Sequence, residues 1–140
     1  MILGIGIDAV EIARFTSWHT YPRTRLKRIF SDEEIDYCLS STSKSAQHFA
    51  SRFAAREAFF KTLNTVIPDH TISLLQVCRY IKVTRLARGA TALTVDWEKL
   101  LAQEKLSTLP AITSFISITH TKSTATVIVL LQQKSPKSSI

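Results

Sequence analysis

The longest periodic stretch of the chain runs from Gln47 to Leu63. Phe49, Phe53, Phe60 and Leu63 follow one another there at offsets of four, seven and three, which puts them on one face of a helix. A helix with such a face must be covered by other elements. Ile2 to Ile7 reads as a short strand, with Leu3, Ile5 and Ile7 on one side and Ile2, Gly4, Gly6 and Asp8 on the other. The two glycines let another segment or a ligand come close to its backbone. Ile72–Val77, Tyr80–Thr84 and Thr91–Val95 carry β-branched residues in partial alternation and read as strands. Phe115–His120 and Thr124–Leu131 read as a hairpin across Thr121, Lys122 and Ser123.

Shorter helices complete the pattern. One is predicted from about Ala9 to Trp18, and Tyr21–Arg28 is a connector or short helix. Ser31 with Glu34 three residues on forms a capping box, Phe30 and Ile35 can staple it, and the helix it opens should run to about Leu39. Asp96 caps a helix from about Trp97 to Leu106. Ser40–Ser45 and Asn64–His70 are loops. Mixed strands and helices give the class α+β.

At 140 residues the chain suits one domain, able to bury on the order of two-thirds of its unfolded surface. We assign residues 1–131 to that domain and 132–140 to a polar, fraying tail. No apolar run approaches the roughly 18 residues that cross a bilayer. The apolar start, Met1 to Ile7, is too short for a signal core and ends at Asp8, so a cytoplasmic location is expected. Cys38 and Cys78 show neither CxxC nor zinc spacing and read as reduced, partly buried thiols. Eighteen Lys and Arg against eleven Asp and Glu leave a net charge of +7. That excess points to an anionic partner: nucleic acid, lipid, phosphates or an acidic protein. Charge does not choose among them.

Six positions are candidates for chemistry, each with a structural alternative. Asp8 ends a strand on the glycine side; it is either a functional carboxylate or an N-cap partnered by Glu11. Glu57 lies roughly 40° from Phe53 and roughly 60° from Phe60 around the helix. A carboxylate facing inward needs a cation, a hydrogen-bond network or a shifted pKa. Lys61, one turn on, supplies either an intrahelical pair with Glu57 or a charge for a phosphate, leaving Glu57 free for a metal. Arg52 and Arg56 lie on another flank, as solvated surface residues or as phosphate contacts. His120 ends a strand before a tight turn, either capped or ligand-binding, and Thr119, Thr121 and Lys122 add donors suited to an anion. No GxSxG elbow, HExxH, Walker loop or GxGxxG is present.

Together the segments resemble the holo-acyl-carrier-protein synthase family, the short phosphopantetheinyl transferases. The match is carried by Gly4-Ile5-Gly6-Ile7-Asp8 with Val10-Glu11-Ile12 and Arg14-Phe15, by Phe30-Ser31-x-x-Glu34, by the run from Arg52 to Lys61, and by Ser117-Ile118-Thr119-His120-Thr121 before an apolar strand. The resemblance implies the 4'-phosphopantetheinyl transferase fold, a mixed sheet packed on a long helix and assembled as a homotrimer with sites between subunits. It implies transfer of 4'-phosphopantetheine from coenzyme A (CoA) to a serine of apo acyl carrier protein, with release of 3',5'-ADP, in support of fatty acid biosynthesis. By position, Asp8 and Glu57 match magnesium ligands and Lys61 the lysine at the CoA diphosphate. Arg52 and His120, with Thr121 beside it, match positions around CoA phosphates. Arg14 and the basic stretch after it, Arg23, Arg25 and Arg28, match the surface that docks the acidic carrier. Neither membrane nor nucleic acid is implied as a partner.

Two departures are visible. Asn64-Thr65-Val66 stands where the family has a glycine-rich turn, and Gly89-Ala90-Thr91 where it has Asn-Gly-x-Pro. Both predict an altered nucleotide rim. Two other readings remain open on the residues alone: a small basic nucleic-acid-binding module using Arg23 to Arg28, and an inactive scaffold relative of the family.

Overall fold

The computed structural model describes residues 1–104 and 109–136. Its centre is α3, Ser45–Val66. The long helix is buried well beyond the phenylalanine face: Ala50, Ala54, Ala55, Ala58 and Phe59 are fully enclosed along with Phe49 and Leu63. Small alanines on the remaining faces let neighbouring elements close in all round. Without a glycine at 64–66 nothing stops the helix at Leu63, and it continues through Val66.

One side of α3 is covered by a three-stranded antiparallel sheet in the order β1-β5-β4, from Ile2–Glu11, Thr124–Gln133 and Ile112–His120. Gly4 and Gly6 are the reason β1 can lie on the helix. A β-carbon at Gly6 would run into the Ala58 carbonyl oxygen and the Thr62 hydroxyl, and one at Gly4 would meet Val66 and Thr62. The hairpin forms as expected, and β5 extends through Gln132 and Gln133, two residues into the segment read as a tail. Residues 137–140 lie outside the described residues. The opposite face of the sheet carries Ile5, Ile7, Phe115 and Ile128, all substantially exposed.

β1 is longer than the sequence suggests, and the helix expected over Ala9–Trp18 does not form. The strand runs on to Glu11 because β5 continues to pair with it, Val10 facing Ala125 and Glu11 facing Thr124. Two short 3-10 turns follow, at Ile12–Phe15 and Trp18–Thr20. They stack Phe15 and Trp18 on Phe53, and Trp18 on Phe49.

The connector contains one helical turn, α1, Arg23–Leu26. α2, Asp32–Leu39, begins with the Ser31–Glu34 capping box. Ser40–Ser45 is closed by a 3-10 turn at Thr42–Lys44. The strand expected at Ile72–Val77 is instead α4, Leu74–Tyr80, opened by a second capping box between Ser73 and Gln76. Two satisfied end donors outweigh the β-branched content of a short run. β2, Ile81–Arg85, and β3, Thr91–Val95, form a separate antiparallel pair. Arg88 and Gly89 turn between them at positive φ. Asp96 caps α5, Trp97–Leu100, which ends earlier than expected; residues 105–108 are outside the described residues.

Candidate active site

The strand and the long helix cross in opposite directions. Gly4 meets Thr62 and Val66, and Gly6 meets Ala58 and Thr62. Two strand residues advance about 6.7 Å and one helical turn about 5.4 Å. The next inward residue, Asp8, therefore comes level with the turn of α3 that carries Glu57. Asp8 is not an N-cap, since it sits inside β1 opposite Val127. Its carboxylate is only 12% exposed and accepts a hydrogen bond from Lys61 Nζ at 2.7 Å. The same ammonium donates to the Ile7 carbonyl at 3.1 Å.

Lys61 is thus paired to Asp8 and not to Glu57, contrary to the intrahelical alternative. Among the described residues Glu57, half-buried, has neither a hydrogen bond nor an ion pair. Lys61 and Glu57 are one turn apart on one flank of α3. Strand and helix therefore bring Asp8, Glu57 and Lys61 into one neighbourhood. It holds two carboxylates, and no cluster of three or more His, Cys, Asp or Glu occurs among the described residues. Two hard oxygen donors beside one ammonium suit a magnesium ion that keeps its other positions for water and phosphate.

Arg56 corrects the expectation of a solvated flank. It is fully buried and gives a two-pronged ion pair to Glu34, at 2.7 and 2.8 Å. It also donates to the Arg52 and Ile81 carbonyls and lies over the Phe30 ring. One guanidinium therefore ties the cap of α2 to the middle of α3 and the start of β2. Burial pushes the Glu34 carboxyl up, but Arg56 and the Ser31 donors more than reverse it and hold it below its ordinary value.

Arg52 is buried as well, 4% exposed. With His120 it lines a cleft of about 340 Å³ that also contains Tyr37, Lys44, His48 and Arg85. Thr121 lies in the adjoining cleft, which His120 shares. Tyr37, Lys44, His48 and Arg85 escaped the sequence reading. His48 stands four residues before Arg52 on the same helix flank, a spacing that could have shown it; Tyr37 and Arg85 arrive from α2 and β2. This cleft does not include Asp8, Glu57 or Lys61. A larger cleft, about 930 Å³ beside Phe30, Tyr80 and Trp97, contains none of the candidate residues.

Of the basic docking candidates, Arg14 lies over the Phe15 and Phe53 rings and Arg25 over Tyr21. Arg23 is bound to Asp32 and Asp36, holding α1 to α2, so much of its charge is spent within the chain. Arg28 is exposed. Both cysteines are free and buried, and burial pushes the Cys38 thiol up to about 12, which removes it as a nucleophile.

Comparison with known proteins identifies the family of the chain. The pattern of the 4'-phosphopantetheinyl transferase superfamily matches residues 4–112. The chain is 37% identical over 134 residues to the holo-[acyl-carrier-protein] synthase of Treponema denticola, covering 94% of this chain and 99% of that one. It is 33% identical over 136 residues to the synthase of Geotalea daltonii, covering 95% and 100%. The fold is similar to a crystal structure of a holo-(acyl-carrier-protein) synthase from Bacillus anthracis in complex with CoA (3',5'-ADP). There the TM-score is 0.69 at 28% identity, over 96% of this chain and 99% of that one.

Proposed function

The chain belongs to the 4'-phosphopantetheinyl transferase superfamily, and from that premise we propose that it transfers 4'-phosphopantetheine from CoA to a serine of apo acyl carrier protein, releasing 3',5'-ADP. The observation that carries the reading is the contact of Lys61 with Asp8 where β1 crosses α3, one helical turn from Glu57, in a chain whose full-length relatives are holo-[acyl-carrier-protein] synthases.

Asp8 and Glu57 would hold a magnesium ion between them. Bound there with the CoA diphosphate, magnesium supplies charge neutralisation at the phosphorus under attack and at the departing phosphate. Glu57, with no partner among the described residues, is free to accept the proton of the carrier serine as its oxygen bonds to phosphorus. Lys61, once released from Asp8, follows the negative charge onto the leaving 3',5'-ADP as the old P–O bond breaks. Catalysis of this kind is mostly positioning and electrostatics, and a buried α3 clamped by Arg56 supplies the first of these.

Arg52, His120 and Thr121 would receive the remaining phosphate of CoA. Arg52 and Lys61 are nine residues apart on α3, about 14 Å of helix axis. The diphosphate and the 3'-phosphate sit on one ribose, a few bonds apart. One nucleotide reaches both sites when the cleft of one subunit faces Asp8 and Lys61 of the next. The exposed Ile5, Ile7, Phe115 and Ile128 offer an apolar face for that assembly, which we take as a homotrimer. Arg14, Arg25 and Arg28 would steer the acidic carrier, an effect on association rate that salt weakens. We place the reaction in the cytoplasm and in the supply of carriers for fatty acid synthesis.

The test is the mass of an apo acyl carrier protein incubated with the chain, CoA and magnesium. A gain equal to one phosphopantetheine supports the reading; no gain with any carrier protein overturns it.

A further inference from the structure

The cleft of about 930 Å³ beside Phe30, Tyr80 and Trp97 has no part in the transfer chemistry. It opens where five elements meet: the start of α2, the end of α4, the start of β2, the end of β3, and α5. None of its lining residues belongs to the three-stranded sheet whose outer face we assign to assembly. None lines the cleft of Arg52 and His120.

The apolar lining is made by Phe30, Cys78 and Ile81, all nearly buried, with Val95 and Trp97 half-buried beside them. Burial pushes the Cys78 thiol up, so this cysteine serves as a wall and not as a nucleophile. The core holds these side chains in place. Arg56 lies over the Phe30 ring and donates to the Ile81 carbonyl at 3.1 Å. Trp97 packs on Phe59 of α3 with ring centroids 5.7 Å apart, and the Asp96 N–H donates to the Tyr80 carbonyl at 2.8 Å. A lining fixed from behind does not have to be ordered by its ligand.

Most of the charge around the cleft is spent within the chain. Asp32 pairs with Arg23 at 3.0 Å and with Lys27 at 3.5 Å. Asp96 caps α5 and pairs with Lys99 at 3.6 Å. Arg79, Lys82 and Glu98 have neither a hydrogen bond nor an ion pair among the described residues. Two free cations against one free acid leave a single positive charge over an apolar lining. Arg79 is exposed and Lys82 half-buried, on either side of the α4–β2 junction. The complement is an anion of one charge with a long apolar body. A doubly charged phosphate ester exceeds the free charge, and a purely polar anion leaves the apolar lining in water.

We infer that this cleft binds a long-chain monocarboxylate, its head at Arg79 and Lys82 and its chain over Phe30, Cys78, Ile81 and Trp97. The site goes beyond the transferase reading and shares no ligand-contacting residue with it.

The experiment is calorimetric titration of the full chain with dodecanoate below its micelle concentration. Butanoate keeps the head and loses the chain; dodecyltrimethylammonium keeps the chain and reverses the head. One dodecanoate should bind per chain, and both comparison ligands should bind about tenfold more weakly or worse. T94W, at an exposed position of β3 opposite Lys82, fills the cleft from its rim, and R79E/K82E reverses the two free cations. Each should lose about tenfold or more in dodecanoate affinity while keeping the circular dichroism spectrum of the wild type. I7D, on the other exposed apolar face, should bind dodecanoate as the wild type does. Affinity within about twofold of wild type in folded T94W and R79E/K82E overturns the proposal. Equal binding of dodecyltrimethylammonium, or loss of binding in I7D, overturns it too. Retention on phosphatidylglycerol vesicles without binding of free dodecanoate makes the region a lipid-surface contact and overturns it as well.

Discussion

Lys61 Nζ reaches the Asp8 carboxylate at 2.7 Å across 53 positions of sequence. This contact pins the long helix to the first strand at the height of Glu57. The pair is asymmetric, with Lys61 53% exposed and Asp8 12%. The ammonium can swing away while the carboxylate stays where the strand puts it. The first group can follow a phosphate; the second is suited to remain a ligand.

E57Q and D8N should each reduce transfer to the carrier by about 10²-fold or more while leaving the circular dichroism spectrum and Tm close to wild type. Glu57 has no partner to lose among the described residues, so its neutralisation removes chemistry and not packing. Carrier mass under single-turnover conditions is the readout. Unimpaired E57Q would remove Glu57 from the site.

Removing the Arg56 guanidinium should be expensive. R56M leaves Glu34 buried beside Phe30 without its cation, and breaking one side of a buried ion pair costs about 3–5 kcal/mol. Urea unfolding measures it. The double variant R56M/E34L should recover part of the loss, because the uncompensated charge is then gone.

Stability should fall in two stages as pH is lowered. Burial, with Arg52, Lys44 and Arg85 nearby, holds His48 at about 4 against an ordinary 6.5, so between those values the unfolded chain binds a proton that the folded chain refuses, and stability declines as pH drops from 6.5 towards 4. Glu34 is held below its ordinary 4.5. Its contribution is complete above that value and is lost as pH falls through the lower, folded one. Tm measured against pH should therefore show H48Q flattening the first stage and leaving the second.

I7D places a charge in the middle of the exposed sheet face, immediately after Gly6 and on the side away from α3. It should leave the folded chain intact and convert the assembly to monomers on size-exclusion chromatography, with transfer falling in parallel. An active monomer would separate the site from the assembly.

Helix α3 was legible because periodicity and composition are local properties, and so was the Ser31–Glu34 box, whose partners are three residues apart. The strand expected at Ile72–Val77 failed although its Ser73–Gln76 box was written just as locally. Apolar and β-branched content alone points to a strand there, and in the fold the cap chemistry prevails. The helix expected after Asp8 failed for another reason. Its first residues, Ala9–Glu11, pair with Thr124–Thr126 at the far end of the chain, and no window around Ala9 contains that strand.

By itself the sequence determined the α+β class, the buried helix, the glycine face of β1 and the residue types at positions 8, 57 and 61. Those follow from side-chain period, backbone sterics and charge, each settled within a turn or two. Only tertiary structure decided partners. It gave Lys61 to Asp8 instead of Glu57, buried Arg56 against Glu34, and set His48 against Tyr37 and Arg85. An ion pair or hydrogen bond is chosen by distance in space, and a long cationic side chain on a helix can reach several elements. Which one it reaches depends on which the packing brings near.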